Sequence, residues 1–204
     1  LALFDLFTDR LLRRPRGPLA RLMWRDMKSH HEIFRDTLAE LRLCADDHLL
    51  EVGCGGGTFA ARALESGCRM TAVDHSADMV ALTGSRNEAA VREGRLEVLE
   101  GAAEALPLPD RHFSCVTAMN ILFFVDTPKT LSELHRVLRP NSRVVLHTVA
   151  PDPPRSLMPP PVARRAQFHS DSELRTMLEA AGLGMSRVRR VDNTFQVVTA
   201  TRHD

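Results

Sequence analysis

Between Leu49 and Ala60 the chain reads LLEVGCGGGTFA. An apolar run carries one acid, Glu51, and then four glycines, Gly53, Gly55, Gly56 and Gly57, fall within five residues. Without a Cβ the backbone can take positive φ, and a ligand can lie against the main chain. Sixteen residues separate Gly57 from a second acid, Asp74, with His75 after it. A carboxylate in such a place can accept the two hydroxyls of a ribose. Four histidines stand near candidate loops: His30, His31, His147 and His169. An imidazole titrating near 6.5 suits a base or an orienting group at neutral pH. Cys54 reads as a small residue inside the glycine run rather than a nucleophile. The chain has no tyrosine, so a phenol base is excluded.

Alternating strands and helices have to position these groups. HLLEV (residues 48–52), RMTAV (69–73), residues 96–99, FSCVTAM (113–119) and VVLHTV (144–149) read as strands. Between them helices are expected from Thr58 to Ser66, from Ala77 to about Ala90 with Ser76 as cap, and from Thr127, taken as cap, with Pro128 opening the helix. Ser170 to Glu173 reads as a capping box for a last helix that Gly182 ends. Two more strands, 185–190 and 195–201, are joined by a short turn, so one of them runs antiparallel. The expected fold is α/β: a Rossmann-like, doubly wound sheet of seven strands, mostly parallel, with a C-terminal antiparallel strand and helices on both faces. Ile33, Phe34, Thr37, Leu38 and Leu41 form a helical stripe. Residues 1–43 are therefore expected to be a helical cap, and residues 44–204 one compact domain. In such a sheet, ligands bind at the carboxyl ends of the strands beside strand one, where Glu51 and the glycines fall.

The glycine spacing admits two nucleotide readings. Gly55, Gly57 and Ala60 satisfy the dinucleotide pattern G-x-G-x-x-G/A. Glu51, Gly53, Gly55 and Gly57 satisfy E-x-G-x-G-x-G. A phosphate-binding P-loop is excluded because no G-K-S/T follows. Asp74 suits both readings; GAAEALPLPDRHFSCV (101–116) separates them. It resembles the segment G-D-A-E-x-L-P-F-P-D-x-x-F-D of class I S-adenosylmethionine-dependent methyltransferases. LSELHRVLRPNSRVVLHTV (131–149) is similar to the same family's E-x-x-R-V-L-K-P-G-G-x-L-x-I, with Asn141 and Ser142 in place of the glycine pair. The tail, from LRTMLEAAGLG to FQVVTATR, looks like its last helix and reversed hairpin. The resemblance covers residues 30–202 and is nearest the small-molecule branch that includes the ubiquinone and menaquinone methyltransferases.

The resemblance implies S-adenosylmethionine as cofactor, with S-adenosylhomocysteine as product, and an in-line methyl transfer to an oxygen, nitrogen or carbon atom of a small molecule. It places Glu51, Gly53, Cys54, Gly55, Gly57, Thr58, Asp74, His75, Ala103, Glu104 and Asn120 around the cofactor. Where the family carries an acid for the adenine amino group, this sequence has Ala102, and Glu104 is an alternative partner. His147 and His31 are the candidate base or orienter, and His30, Phe123 and His169 the candidate substrate pocket. Alternatives are a cofactor-binding protein of the same fold with a non-methylating or regulatory role and, further off, a nicotinamide oxidoreductase. No metal constellation is evident.

The chain's 204 residues and 44% hydrophobic content suit one soluble domain. A net charge of +1 gives no drive toward nucleic acid, and no apolar run reaches the roughly 20 residues of a membrane span. The opening LALFDLFTDRLL, broken by Asp5 and Asp9, reads poorly as a signal peptide. Four cysteines without C-x-x-C spacing suggest reduced thiols and a cytoplasmic location. Arg155, Arg164 and Arg165 beside the proline-rich loop suggest an anionic acceptor.

Overall fold

The structure is a computed structural model that describes residues 15–25, 30–151, 153–154, 157–158 and 163–203. Its centre is one seven-stranded sheet: β1 (His48–Val52), β2 (Arg69–Asp74), β3 (Leu96–Glu100), β4 (Phe113–Met119), β5 (Leu138–Val149), β6 (Leu183–Val191) and β7 (Phe195–Arg202). The spatial order is β3-β2-β1-β4-β5-β7-β6. Strand β1 pairs in parallel with β2 on one side and β4 on the other. The chain thus winds outward both ways from β1, and the crevice at its carboxyl end is the switch point. The reversed strand is β7, which lies inside the sheet and pairs antiparallel with both β5 and β6.

Seven helices flank the sheet among the described residues: α1 (Pro18–Trp24), α2 (His31–Leu41), α3 (Thr58–Ala63), α4 (Ala77–Arg86), α5 (Glu88–Arg92), α6 (Thr127–Val137) and α7 (Asp171–Ala180). Side chains alternate across a strand, so each strand feeds two cores. Leu50, Val116, Val144, Leu146 and Val198 pack with Leu131 and Leu134 of α6 and Leu174 and Leu178 of α7. Leu49, Met70, Cys115, Val145 and Val197 pack on the other face with Ile33, Phe34 and Leu41 of α2 and Phe59 and Ala60 of α3. By the same alternation Glu51, Met119 and His147 project on the α2 side.

Local chemistry sets the element ends, in three places one or more residues from where the sequence puts them. Helix α6 is capped by Asp126, whose side chain accepts from the Lys129 N–H; Thr127 is instead the first helical residue, and its hydroxyl donates to the Leu122 carbonyl at 2.9 Å. The helix expected over 77–90 breaks at Asn87, whose side-chain amide donates to the Gly57 and Thr83 carbonyls at 3.1 and 2.9 Å. Strand β5 begins at Leu138, six residues before the VVLHTV run, and absorbs Asn141 at φ 60°. Asn tolerates that left-handed conformation, so no glycine pair is needed. Pro18 starts α1, where a proline loses nothing by lacking an N–H. The capping box at Ser170 and Glu173 forms with both of its hydrogen bonds. The opening residues that carry Asp5 and Asp9, together with Arg155, lie outside the described residues.

Candidate functional site

A cavity of about 260 Å³ opens at the carboxyl ends of β1, β2 and β4. Its floor is the turn from Gly53 to Gly57. The Gly53 and Cys54 N–H groups donate to the Val73 carbonyl at 2.8 and 3.2 Å, which ties the turn to the end of β2. From behind, the Thr83 hydroxyl of α4 donates to the Gly55 carbonyl at 2.9 Å. Gly57, at φ 73°, caps α3, and a Cβ there would meet Thr83 and Asn87 within 3 Å. A side chain at that position is excluded by both conformation and space.

Two carboxyls face this floor. Asp74 Oδ2 accepts the Gly55 N–H at 2.9 Å, and Oδ1 accepts the Ser76 N–H at 3.0 Å. His75 lies beside it, with Nδ1 3.4 Å from Oδ1, on the exposed rim. Glu51 is 1% exposed, and its Oε2 has no hydrogen-bond partner. Burial holds both carboxyls above their usual range, Glu51 furthest, and the neighbouring Asp74 charge raises Glu51 further. Burial also pushes the Cys54 thiol well up, which removes it as a nucleophile.

At the other end, Asn120 closes β4 at φ 56°. Its N–H donates to the His147 carbonyl at 2.7 Å, and its Oδ1 lies 3.0 Å from His147 Nδ1. An amide oxygen can only accept, so Nδ1 carries the proton and Nε2 the lone pair. Burial, with the His30 ring adding to it, lowers His147 to about 4, so it is neutral at pH 7. His30 stacks on Phe34 with centroids 6.0 Å apart, and burial lowers it too. Phe34, Met119, Ile121, Phe124 and Val125 give this end of the cavity an apolar wall.

The residues present fit a nucleoside with a charged tail. A side-chain-free floor, a hydroxyl-accepting carboxylate and a buried carboxylate oxygen without a partner are what such a ligand needs. Among the described residues, no group of three metal-ligating side chains comes together.

Residues 50–146 match the family described as "Methyltransferase domain". The chain is 35% identical over 124 residues to the mitochondrial ubiquinone biosynthesis O-methyltransferase of Schizosaccharomyces pombe, covering 58% of this chain and 42% of that protein. It is 30% identical over 131 residues to the demethylmenaquinone methyltransferase of Lactiplantibacillus plantarum, covering 62% and 55%. Over residues 50–146 the chain is similar to that methyltransferase family. It spans about half the length of these curated relatives. The fold agrees: a SAM-dependent methyltransferase of known structure from Aquifex aeolicus superposes with a TM-score of 0.74 at 24% identity, covering 92% of this chain and 99% of that one.

Against the family's pattern, the cavity gathers Glu51, Gly53, Cys54, Gly55, Thr58, Asp74, His75, Ala103, Glu104, Asn120 and His30. Gly57 sits one residue behind the wall as the cap of α3. His147 is reached through Asn120 and does not itself line the cavity. His31 does not line it: α2 begins there, and one step of helix turns the side chain away from the cavity that His30 faces. Phe123 packs with Val149 and Met158, and the next ring, Phe124, takes the lining position. His169 lies outside the lining, its Nε2 3.1 Å from the buried Thr127 hydroxyl. Lining residues that the sequence does not flag as site residues are Phe34, Met79, Ile121 and Trp24. Phe34 had a signal: four residues after His30, it shares that residue's helical face. Trp24 had none, because a contact from residue 24 to residue 55 leaves no periodic trace.

Proposed function

We propose that the protein transfers a methyl group from S-adenosylmethionine to a small-molecule acceptor. The observation that carries this reading is one cavity with a glycine floor and Asp74 at one end and His30 and Asn120, the latter held by His147, at the other. Asp74 is assigned to the ribose hydroxyls; its oxygens hold two backbone N–H groups and keep further lone pairs for O–H donors. Gly101 to Glu104 are assigned to the adenine, with Glu104, which accepts the Asp126 N–H at 3.1 Å, in place of the missing acid at 102. Glu51 is assigned to the cationic amino-acid tail.

When bound, the sulfonium supplies a methyl carbon already activated for in-line displacement. The chain's own part is to align the acceptor and exclude water. A neutral His147 acts through its hydrogen bond to Asn120 and orients that side chain toward the acceptor; a base near 4 is too weak for full proton abstraction at pH 7. His30, not His31, is its partner facing the cavity. The walls favour an apolar acceptor. The anionic character expected from the basic loop would need a group reaching outside the lining to the exposed Arg164 and Arg165. We further propose a cap made by α1 and α2, no nucleic-acid partner in view of the +1 net charge, and a cytoplasmic setting, which the four free thiols support. Among the described residues no helix is long and apolar enough to cross a membrane.

The test is incubation with methyl-labelled cofactor and a panel of phenolic, amine and carbon acceptors. Label appearing in an acceptor, and reduced by His30→Ala and His147→Ala, supports the reading. Cofactor binding without transfer to any acceptor favours the non-methylating alternative, and binding of a nicotinamide cofactor instead favours the oxidoreductase.

A further inference from the structure

The segment from Pro15 to Arg25 lies over the cavity and is fastened to one acidic turn. The Ser76 hydroxyl donates to the Pro15 carbonyl at 2.5 Å. The Gly17 N–H donates to Asp78 Oδ2 at 2.7 Å, and Arg21 donates through Nε and Nη2 to Asp78 Oδ1 at 2.8 and 2.5 Å. Asp78 stands in the first turn of α4, four residues beyond Asp74, so the fastening sits beside the carboxylate assigned to the ribose. Pro15 and Trp24 both line the cavity. The Trp24 ring lies 3.1 Å from where a Gly55 Cβ would be, and a Cβ on Gly56 would collide with the Trp24 carbonyl oxygen. The end of α1 is thus pressed onto the glycine floor.

Little apolar burial holds α1 in that seat. Its one buried residue is Ala20, the smallest side chain it has, while Leu19 and Leu22 are 53% and 68% exposed. An element with so little buried surface opens at a low free energy unless polar contacts hold it. Three of the four contacts given above end on Asp78, and the fourth is on Ser76 of the same turn.

We propose that residues 15–25 form a latched strap across the cavity, that Asp78 with Arg21 is the latch, and that the adenosyl ligand exchanges only when the latch opens. The ligand part rests on the cofactor reading above; the latch part does not. Trp24 is the chain's one tryptophan, so its fluorescence reports the strap directly. Arg21 is half-exposed, and Arg21→Ala removes the latch without disturbing a core.

Two measurements test the proposal on the full chain. Without ligand, Arg21→Ala is expected to raise the acrylamide quenching constant of Trp24 about twofold, with Arg21→Lys, which keeps the charge but loses the fork, in between. With S-adenosylhomocysteine, stopped-flow fluorescence is expected to show release about fivefold faster in Arg21→Ala, the scale of one exposed bidentate pair. Added salt should speed release from the wild type and leave Arg21→Ala unchanged. Equal quenching in wild type and Arg21→Ala overturns the latch. Raised quenching with equal release rates overturns its control of exchange. No binding of S-adenosylhomocysteine to the wild type by calorimetry overturns the cofactor reading, and with it the exchange claim, while the latch is still decided by the quenching.

Discussion

Glu51 and Asp74 put two carboxyls into one cavity, yet they are held differently. Asp74 is stabilised by two backbone N–H groups, whereas Glu51 keeps an oxygen with no partner. If Asp74 takes the ribose, Asp74→Ala should weaken S-adenosylhomocysteine binding by about tenfold or more, the scale of hydrogen bonds to a charged acceptor, as read by calorimetry. Both carboxyls are shifted upward, so they lose charge as pH falls through a range where ordinary carboxylates stay ionised. Affinity for the net-cationic methyl donor should therefore fall on acidification already where ordinary carboxylates stay ionised, and less steeply in Glu51→Gln. These acids were legible in the sequence because each is the last or second-last residue of a strand beside a glycine turn or a helix cap. The aromatic and imidazole walls were less legible. His30 against His31 and Phe124 against Phe123 are one-residue choices, made by where a helix or a short turn begins, and spacing does not resolve them.

At the scale of elements, β4 and β5 deliver Asn120 and His147 side by side, and α6 secures the segment that walls the other end. Arg136 of α6 donates to the Leu106 and Leu108 carbonyls at 3.0 and 2.8 Å and pairs with Asp110 and Glu133. Glu133 in turn accepts the Leu106 N–H at 2.7 Å. These two ion pairs and their hydrogen bonds pin residues 106–110, just after the Gly101 to Glu104 wall. Arg136→Ala should lower cofactor affinity more than it lowers stability, because it frees a loop while leaving the core packed; calorimetry and urea unfolding on the same variant separate the two. Leu134, fully buried on the same helix, should behave oppositely. Leu134→Ala is expected to cost about 2–5 kcal/mol of stability in urea unfolding. The apolar stripe of α6 and the capping box of α7 were readable from period and local chemistry. The Arg136 hub was not: Glu133 is a helical neighbour three residues away, but Leu106, Leu108 and Asp110 lie 26 to 30 residues away and no short-range rule links them.

For the whole molecule, burial of His147 makes stability depend on pH. Folded, it titrates near 4; unfolded, it does so near 6.5, so between those values the unfolded chain holds the extra proton. Its contribution is present above about pH 6.5 and is lost as pH falls toward 4, amounting to about 2 kcal/mol between pH 7 and pH 5. Glu51 and Asp74, shifted upward, act in the opposite sense. The effect is therefore read as the difference in urea unfolding between the wild type and His147→Gln, which should lose less stability on acidification. The doubly wound order of the sheet was legible because alternating strands and helices leave few ways to wind. The strap at Trp24 was not, because tertiary contact alone creates it. The most direct test of the account is calorimetric titration of the full chain with S-adenosylhomocysteine and, separately, with NADH. The account predicts one-to-one binding of S-adenosylhomocysteine, weakened by Asp74→Ala, and none of NADH. Binding of NADH, or S-adenosylhomocysteine binding that Asp74→Ala leaves unchanged, would contradict it.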